Sequence, residues 1–379
     1  MSGSEQLVLI DGSGYIFRAF HALPPMTRGD GTPVNAVYGF TGMVMKLVDD
    51  LAPAHVAVVF DSARKTFRND IYADYKANRT DPPEELVPQF DLVREATTAL
   101  SLPQLEVPGF EADDLIATYA ALGEAAGMET VIVSSDKDLM QLVRGGVTML
   151  DPMKQRRIAG PEVEERFGVT PDKVVDVQAL AGDSTDNVPG VPGIGVKTAA
   201  ELINTYGDLD TLLASAGEIK QPKRRENLIN FAEQARISRD LVRLRDDAPM
   251  PLPLEELKRT ERDMDRLIAF LKAQDFKRLL TRVGAPAEAA EPAVRSMDGT
   301  PQPAAGASAP ASAPLPEGEV SYELVTSIAK LEEWAAAARK QGYLAVDTET
   351  SSLNAAAAEM VGVSMALAPG RACYVALRH

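Results

Sequence analysis

Cysteine, histidine and tryptophan are nearly missing from this chain, which has one Cys, three His and one Trp in 379 residues. Cys373 alone excludes an intrachain disulfide. With so few sulfur and imidazole donors a zinc site is excluded in practice, so any metal must be held by oxygen. Aromatic residues make up 6% of the chain, too few for extended base stacking; recognition of a nucleic acid would rest on shape and backbone. No GxxxxGK[ST] loop occurs, which removes support for nucleoside triphosphate hydrolysis. No apolar run approaches the roughly 18 residues that cross a bilayer, and the opening MSGSEQLVLI lacks the basic start and apolar core of a signal peptide. A soluble, cytoplasmic protein with no membrane partner is expected. Basic residues are outnumbered, 39 against 55 acidic, for a net charge of −16. That balance argues against a generic basic coat for nucleic acid. It leaves room for a phosphate substrate reached through divalent cations.

What the chain does contain is a globular share of apolar (45%) and charged (25%) residues, over a length that exceeds one ordinary core. Residues 284–318 are rich in Ala, Pro, Ser and Gly and are read as a disordered linker. Before it, short apolar runs (LVLI at 7–10, HVAVVF at 55–60, TVIVSS at 130–135) alternate with helical patterns. This alternation predicts an α/β fold, a mostly parallel sheet with helices on both faces, over about 5–160. From about 161 to 283 the pattern is helical. After the linker, 319–379 reads as the start of a second, incomplete α/β domain, expected to be loosely folded because about 60 residues are marginal alone.

Three predicted strands end in acid: Asp11, Asp61, and the pair Asp136 and Asp138. Glu111, Asp113 and Asp114 crowd a helix start, and Asp183 and Asp186 stand three apart in AGDSTDN. Acids are favoured at helix N-termini for capping alone. Nine together would repel one another, and the economical solution is Mg²⁺ or Mn²⁺ held by hard oxygen donors. Two such ions are the usual apparatus for phosphodiester hydrolysis.

The stretches LIDGSGYIFRAFHA, VFDSARKTFRNDIYADYKANR, GFEADDLIAT, SSDKDLMQLV and GDSTDNVPGVPGIGVKTA resemble, in order and spacing, the 5′-nuclease of bacterial polymerase I-type DNA polymerases, within the flap-endonuclease family. Ser135 is a departure, standing where that family usually has glycine. The resemblance implies a two-metal nuclease acting on DNA with a 5′ flap, nick or RNA primer. It acts as a monomer near the bacterial nucleoid, with the nine acids as metal ligands. It also implies a helical arch in which Lys76, Arg79 and Tyr75 stand nearest the chemistry, Tyr75 being available to stack on a base. Arg18, Arg64, Lys65 and Arg68 are its candidate DNA contacts. Without the resemblance, the basic run between Ser62 and Thr80, five basic residues against two acidic, is equally a solvated face.

PGIGVKTA carries a tight glycine turn opening into a helix, whose free N–H groups suit a phosphate, with Lys197 adding charge. The resemblance makes Gly193, Gly195 and Lys197 part of a helix-hairpin-helix duplex clamp holding K⁺. Asp347 and Glu349, two apart in LAVDTET, resemble the first motif of a 3′-5′ exonuclease. Proofreading is not expected from this chain. Two other readings remain at this point: a PIN-like ribonuclease, and a noncatalytic DNA-junction binding module.

Overall fold

Strand β1 (Gln6–Asp11) is buried along its last five residues. An apolar run without polar alternation suits a strand covered on both faces, and β1 lies inside a six-stranded sheet of order β3-β2-β1-β4-β5-β6. The other strands are β2 (His55–Val59), β3 (Gln104–Leu105), β4 (Glu129–Val133), β5 (Val147–Asp151) and β6 (Arg156–Ile158). All neighbours pair in parallel except β5 with β6. The strand order reverses between β1 and β4, and open α/β sheets place their ligand crevice at such a reversal, beyond the carboxyl ends of the strands. This computed structural model describes residues 5–63, 65–285, 321–342, 344–350, 360–368 and 371–377. They form two compact units, one through Ala285 and one from Ser321. The expected linker lies outside the described residues apart from Gly284 and Ala285.

Because side chains alternate along a strand, the sheet feeds two apolar layers. Val8, Ile10, Val56, Val58, Val131 and Val133 join a layer with Ile16, Phe40, Val44 and Val93, from helices Gly12–Ala22, Asn35–Leu51 and Gln89–Ala99. Leu7, Leu9, Ala57, Val59 and Ile132 pack on the other side with Leu115, Ile116 and Tyr119 of helix Ala112–Ala125. Gly12 makes the first turn possible: a Cβ there would lie 2.5 Å from the Phe60 ring.

The helical section follows as expected, with helices Gly160–Phe167, Val174–Ala181, Val196–Tyr206, Leu209–Ala214, Pro222–Asn230 and Ala232–Val242. One part of its expected extent is corrected. Helices Met264–Ala273 and Lys277–Arg282 return to the α/β body, where Leu267, Leu271, Phe276, Leu279 and Leu280 complete the layer around Phe40. The section read as 161–283 is therefore divided between two packing neighbourhoods.

The second unit is a four-stranded sheet of order β7-β10-β9-β8, formed by β7 (Ser321–Val325), β8 (Ala345–Thr350), β9 (Met360–Ala368) and β10 (Arg371–Ala376), with helix Ile328–Gln341. Its core is small: Val325, Trp334, Leu367, Cys373 and Val375. Asp347 and Glu349 stand exposed on strand β8, at the sheet's edge, opposite Ser364 and Gly362.

Candidate active site

Asp11 closes β1 and caps the helix that follows, its carboxylate accepting from Gly14 N at 2.7 Å and from Ser134 Oγ at 2.7 Å. Ser134, just past β4, also accepts from Asp136 N at 3.0 Å, so one hydroxyl ties the ends of β1 and β4 together. Past β2, Asp61 Oδ1 accepts from Ala112 N at 2.8 Å while its own N–H donates to Ser13 Oγ at 3.0 Å. The start of helix Ala112–Ala125 is thereby held over the same strand ends, bringing Glu111 and Asp113 with it. Burial pushes the Asp11 carboxyl up to about 6; the bonds from Gly14 and Ser134 oppose this, and the nearby Asp61 and Asp136 add to it. Asp113 is raised well above the usual range by burial, then by Asp136, Asp11, Asp61 and Glu111. Among the described residues, no lysine or arginine forms an ion pair with Asp11, Asp113 or Asp136.

The opposite bank is arranged differently. Lys76 Nζ donates to Glu111 at 2.8 Å and lies 3.7 Å from Asp186, which also binds Arg79. Lys137 binds Asp183, whose other oxygen accepts from Thr185 N at 2.7 Å. Burial alone would lower the Lys76 ammonium, but Glu111 and Asp186 hold it above its usual value. Asp183 is held below its ordinary value: burial acts upward, but Lys137 and the Thr185 N–H outweigh it. Asp138 is raised to about 6 by burial and then by Asp136, although Gln178 donates to it. The two loops that carry these groups are interlocked. Lys76 N donates to Asp186 O at 2.9 Å, Asn78 Nδ2 to Ser184 O at 2.7 Å, and Asn187 Nδ2 to Asp74 O at 2.7 Å. Glu111, Asp113, Asp138, Asp183 and Asp186 line one narrow cleft walled by Val188, Leu241, Val242 and Leu244. No three acids among the described residues stand at the spacing one ion needs. A ring of like charges has no reason to contract without a cation at its centre.

Several expectations require correction. Asp114 is fully buried, and four donors fill its carboxylate: Arg68 Nη1 and Nη2 at 2.7 and 2.8 Å, Arg245 N at 2.9 Å and Glu111 N at 3.1 Å. A carboxylate offers about four lone-pair sites, so none is left for a metal. Arg68, only 1% exposed, also donates to Leu241 O at 2.7 Å and is a buried brace, not a DNA contact. Tyr75, at 6% exposure, spends its hydroxyl on Glu111 and Asp186, at 3.3 and 3.4 Å, so its ring is closed to stacking. The arch is helical only over Phe67–Ile71 among the described residues of 62–88. Inward-turned Arg68 and Tyr75, the left-handed φ of 57° at Lys76 and the Pro82-Pro83 pair prevent a longer helix. Arg64 lies outside the described residues; Lys65 is exposed, and Arg18 is half-buried with its guanidinium 6.0 Å from the Tyr15 ring.

The hairpin between helices Val174–Ala181 and Val196–Tyr206 forms where the sequence places it. Gly193 takes the left-handed φ of 76°, and Gly193, Gly195 and Lys197 are exposed. Its turn is gripped from outside: Asn227 Nδ2 donates to Pro192 O at 2.7 Å, Gln234 Nε2 to Gly190 O at 2.6 Å, and Gly190 N donates to Ser238 Oγ at 3.0 Å. Sequence reasoning missed Ser134, Lys137 and Gln178. Ser134 and Lys137 sit inside the SSDKD motif and were readable as its neighbours; nothing local marks Gln178.

A buried ring of acids at parallel strand ends, next to lysines and a hairpin clamp, defines a protein of the phosphodiester-cutting class. Family models agree with it. The 5′-3′ exonuclease N-terminal resolvase-like domain matches residues 6–168, and the 5′-3′ exonuclease C-terminal SAM fold matches 169–265. A 3′-5′ exonuclease model matches 322–379. A 5′-3′ exonuclease of Aquifex aeolicus is 38% identical over 279 residues, 74% of this chain and 95% of that protein. DNA polymerase I of Rhizobium leguminosarum is 46% identical over 445 residues, covering 100% of this chain and 44% of the relative. This chain thus spans under half the length of that relative, and 40% of the Pseudomonas aeruginosa DNA polymerase I, which is 37% identical over 98% of the chain. The fold alone is shared with zinc-bound bacteriophage T5 5′-exonuclease, at a TM-score of 0.54 and 23% identity over 63% of this chain and 89% of that one. The chain belongs to the 5′-3′ exonuclease family of bacterial DNA polymerase I and carries its nuclease domain. No helix among the described residues is long and apolar enough to cross a membrane.

Proposed function

We propose that this chain is a divalent-metal-dependent 5′-nuclease that cuts DNA near the junction of single and double strands, at 5′ flaps, nicks or RNA primers. The observation that carries the reading is the group Asp11, Asp113 and Asp136, buried or crowded together at parallel strand ends with no internal cation. Hard oxygen donors with uncompensated charge fit Mg²⁺ or Mn²⁺. Asp11, Asp61, Glu111, Asp113 and Asp136 would hold one ion, and Asp138, Asp183 and Asp186 a second. Such ions supply a hydroxide nucleophile and neutralise charge on the attacked phosphate.

The chain's own groups do the remaining work. Ser134 and Gly14 fix the Asp11 carboxylate by hydrogen bonds, so its oxygens need little reorganisation. Lys76 and Arg79, now bound to Glu111 and Asp186, sit where a scissile phosphate would meet them, and Lys76 stabilises the charge that develops there. Exposed Lys65 and half-buried Arg18 contact neighbouring phosphates. The hairpin at Gly193–Lys197 takes the duplex backbone without reading sequence, and the K⁺ implied for such hairpins belongs to this part of the proposal.

The test is cleavage of a labelled 5′-flap substrate by the full chain with Mg²⁺ or Mn²⁺. EDTA-sensitive release of product at the junction is expected. Cutting that survives EDTA, or that attacks linear single strands as readily as flaps, sinks the proposal.

A further inference from the structure

Lys137 occupies an unusual place in the cleft: it is a cation inside the donor set that would take a cation. Its neighbours in sequence are Asp136 and Asp138, and its ammonium is bonded to Asp183 Oδ2. Asp183 side-chain exposure is 6%, and its Oδ1 already accepts from Thr185 N. The oxygen left for an incoming ion is therefore the one Lys137 holds. An exposed ion pair is normally worth little and has no role; here the acidic partner is buried and belongs to a site proposed to bind metal.

The bond is not needed to shape the loop. Asp183 N donates to Val188 O at 2.9 Å and Val188 N to Asp183 O at 2.8 Å, closing the turn through the backbone alone. What Lys137 adds is charge. Its side chain is 34% exposed, so a path to solvent is open if it is displaced.

Resting on the metal reading above, we infer that Lys137 is an internal competitor for the second divalent cation, occupying Asp183 in the metal-free protein and withdrawing when an ion binds. The first ion, at the strand ends, meets no such plug. Lys137 thus separates the two affinities and sets the metal concentration at which the site becomes complete.

The experiment is Mn²⁺ binding to the full chain, followed by electron paramagnetic resonance and calorimetry without DNA. Wild type is expected to show a stronger and a weaker class of bound Mn²⁺. Lys137→Met should tighten the weaker class by roughly tenfold, the scale of one nearby charge in a surface-like dielectric. The stronger class should stay unchanged, and Lys137→Arg, which keeps the charge, should match wild type. Lys137→Gln, with the same stem length class and a polar end, should behave as Lys137→Met and guards against a folding defect of the apolar variant. Two classes with an unchanged or weakened second constant in both neutral variants would overturn the inference while leaving the metal reading in place. No bound Mn²⁺ in wild type would overturn both.

Discussion

The two banks of the crevice use one residue type in opposite electrostatic states. At the strand ends, Asp11 and Asp113 are buried among other acids, and their carboxyls are driven upward. Across the cleft, Glu111, Asp183 and Asp186 are each matched by Lys76, Lys137 or Arg79. The number of acids in a cleft therefore says little by itself. What distinguishes a site waiting for a cation is where the protein has withheld its own. Burying carboxylates without a partner is costly, and the fold tolerates that cost only on one bank.

The largest effect should come from taking an acid out of each bank in turn. Asp113→Asn is expected to slow single-turnover cutting by more than about a thousandfold, or roughly 4 kcal/mol of barrier, while raising the melting temperature in EDTA because one repelling charge is gone. Asp186→Asn should raise the metal concentration needed for cutting. In EDTA it should lower the melting temperature, since Arg79 and Lys76 lose their partner. If both variants shift the metal-free melting temperature in the same direction, the contrast between the banks is wrong.

A second test concerns Arg68 and Asp114, an acid and a cation that match one another completely and serve neither bank. Arg68→Met leaves Asp114 buried with an unpaired charge, a change that costs about 3 kcal/mol or more. Urea unfolding should show that loss, whereas the salt dependence of DNA binding by the folded protein should stay as in wild type, because Arg68 does not reach phosphate. A destabilisation below about 1 kcal/mol, or a reduced salt slope, would return Arg68 to the DNA-binding set.

These cases mark what the sequence could and could not convey. The strand ends were legible because a parallel strand covered on both faces is a plain apolar run, and the acid that ends it is conspicuous. Asp113 and Asp114 are adjacent and chemically identical, yet one faces the cleft and the other is filled by Arg68, a residue 46 positions away. Only packing separates them. Arg68 and Tyr75 lie in a basic run whose spacing gives no burial signal, so both looked available to DNA. Helix Met264–Ala273 has its Leu267 and Leu271 at helical spacing, which announces an apolar face but not the core that receives it. The family resemblance supplied the ring of acids. It did not supply the internal cations that divide it.

The smallest expected effect is a pH dependence that differs between metal-free and metal-bound protein, and its sign follows from Asp11. Its carboxyl moves from an ordinary 3.8 to about 6 in the fold, so the folded state favours the protonated form. The resulting contribution to stability is complete below about pH 4 and is lost as pH rises through about 6. Asn at position 11 keeps an acceptor for Gly14 N and cannot ionise, so Asp11→Asn should match wild type in EDTA near pH 4.5. Near pH 7.5 it should be the more stable protein by on the order of 2 kcal/mol. With Mg²⁺ the order reverses at the higher pH, because the cation binds the ionised carboxylate and stabilises only wild type. Thermal melts of both proteins across this range, with EDTA and with Mg²⁺, measure the crossing directly. Parallel curves in EDTA would mean that Asp11 is not under strain from its neighbours, and the bare bank would then be no different from the matched one.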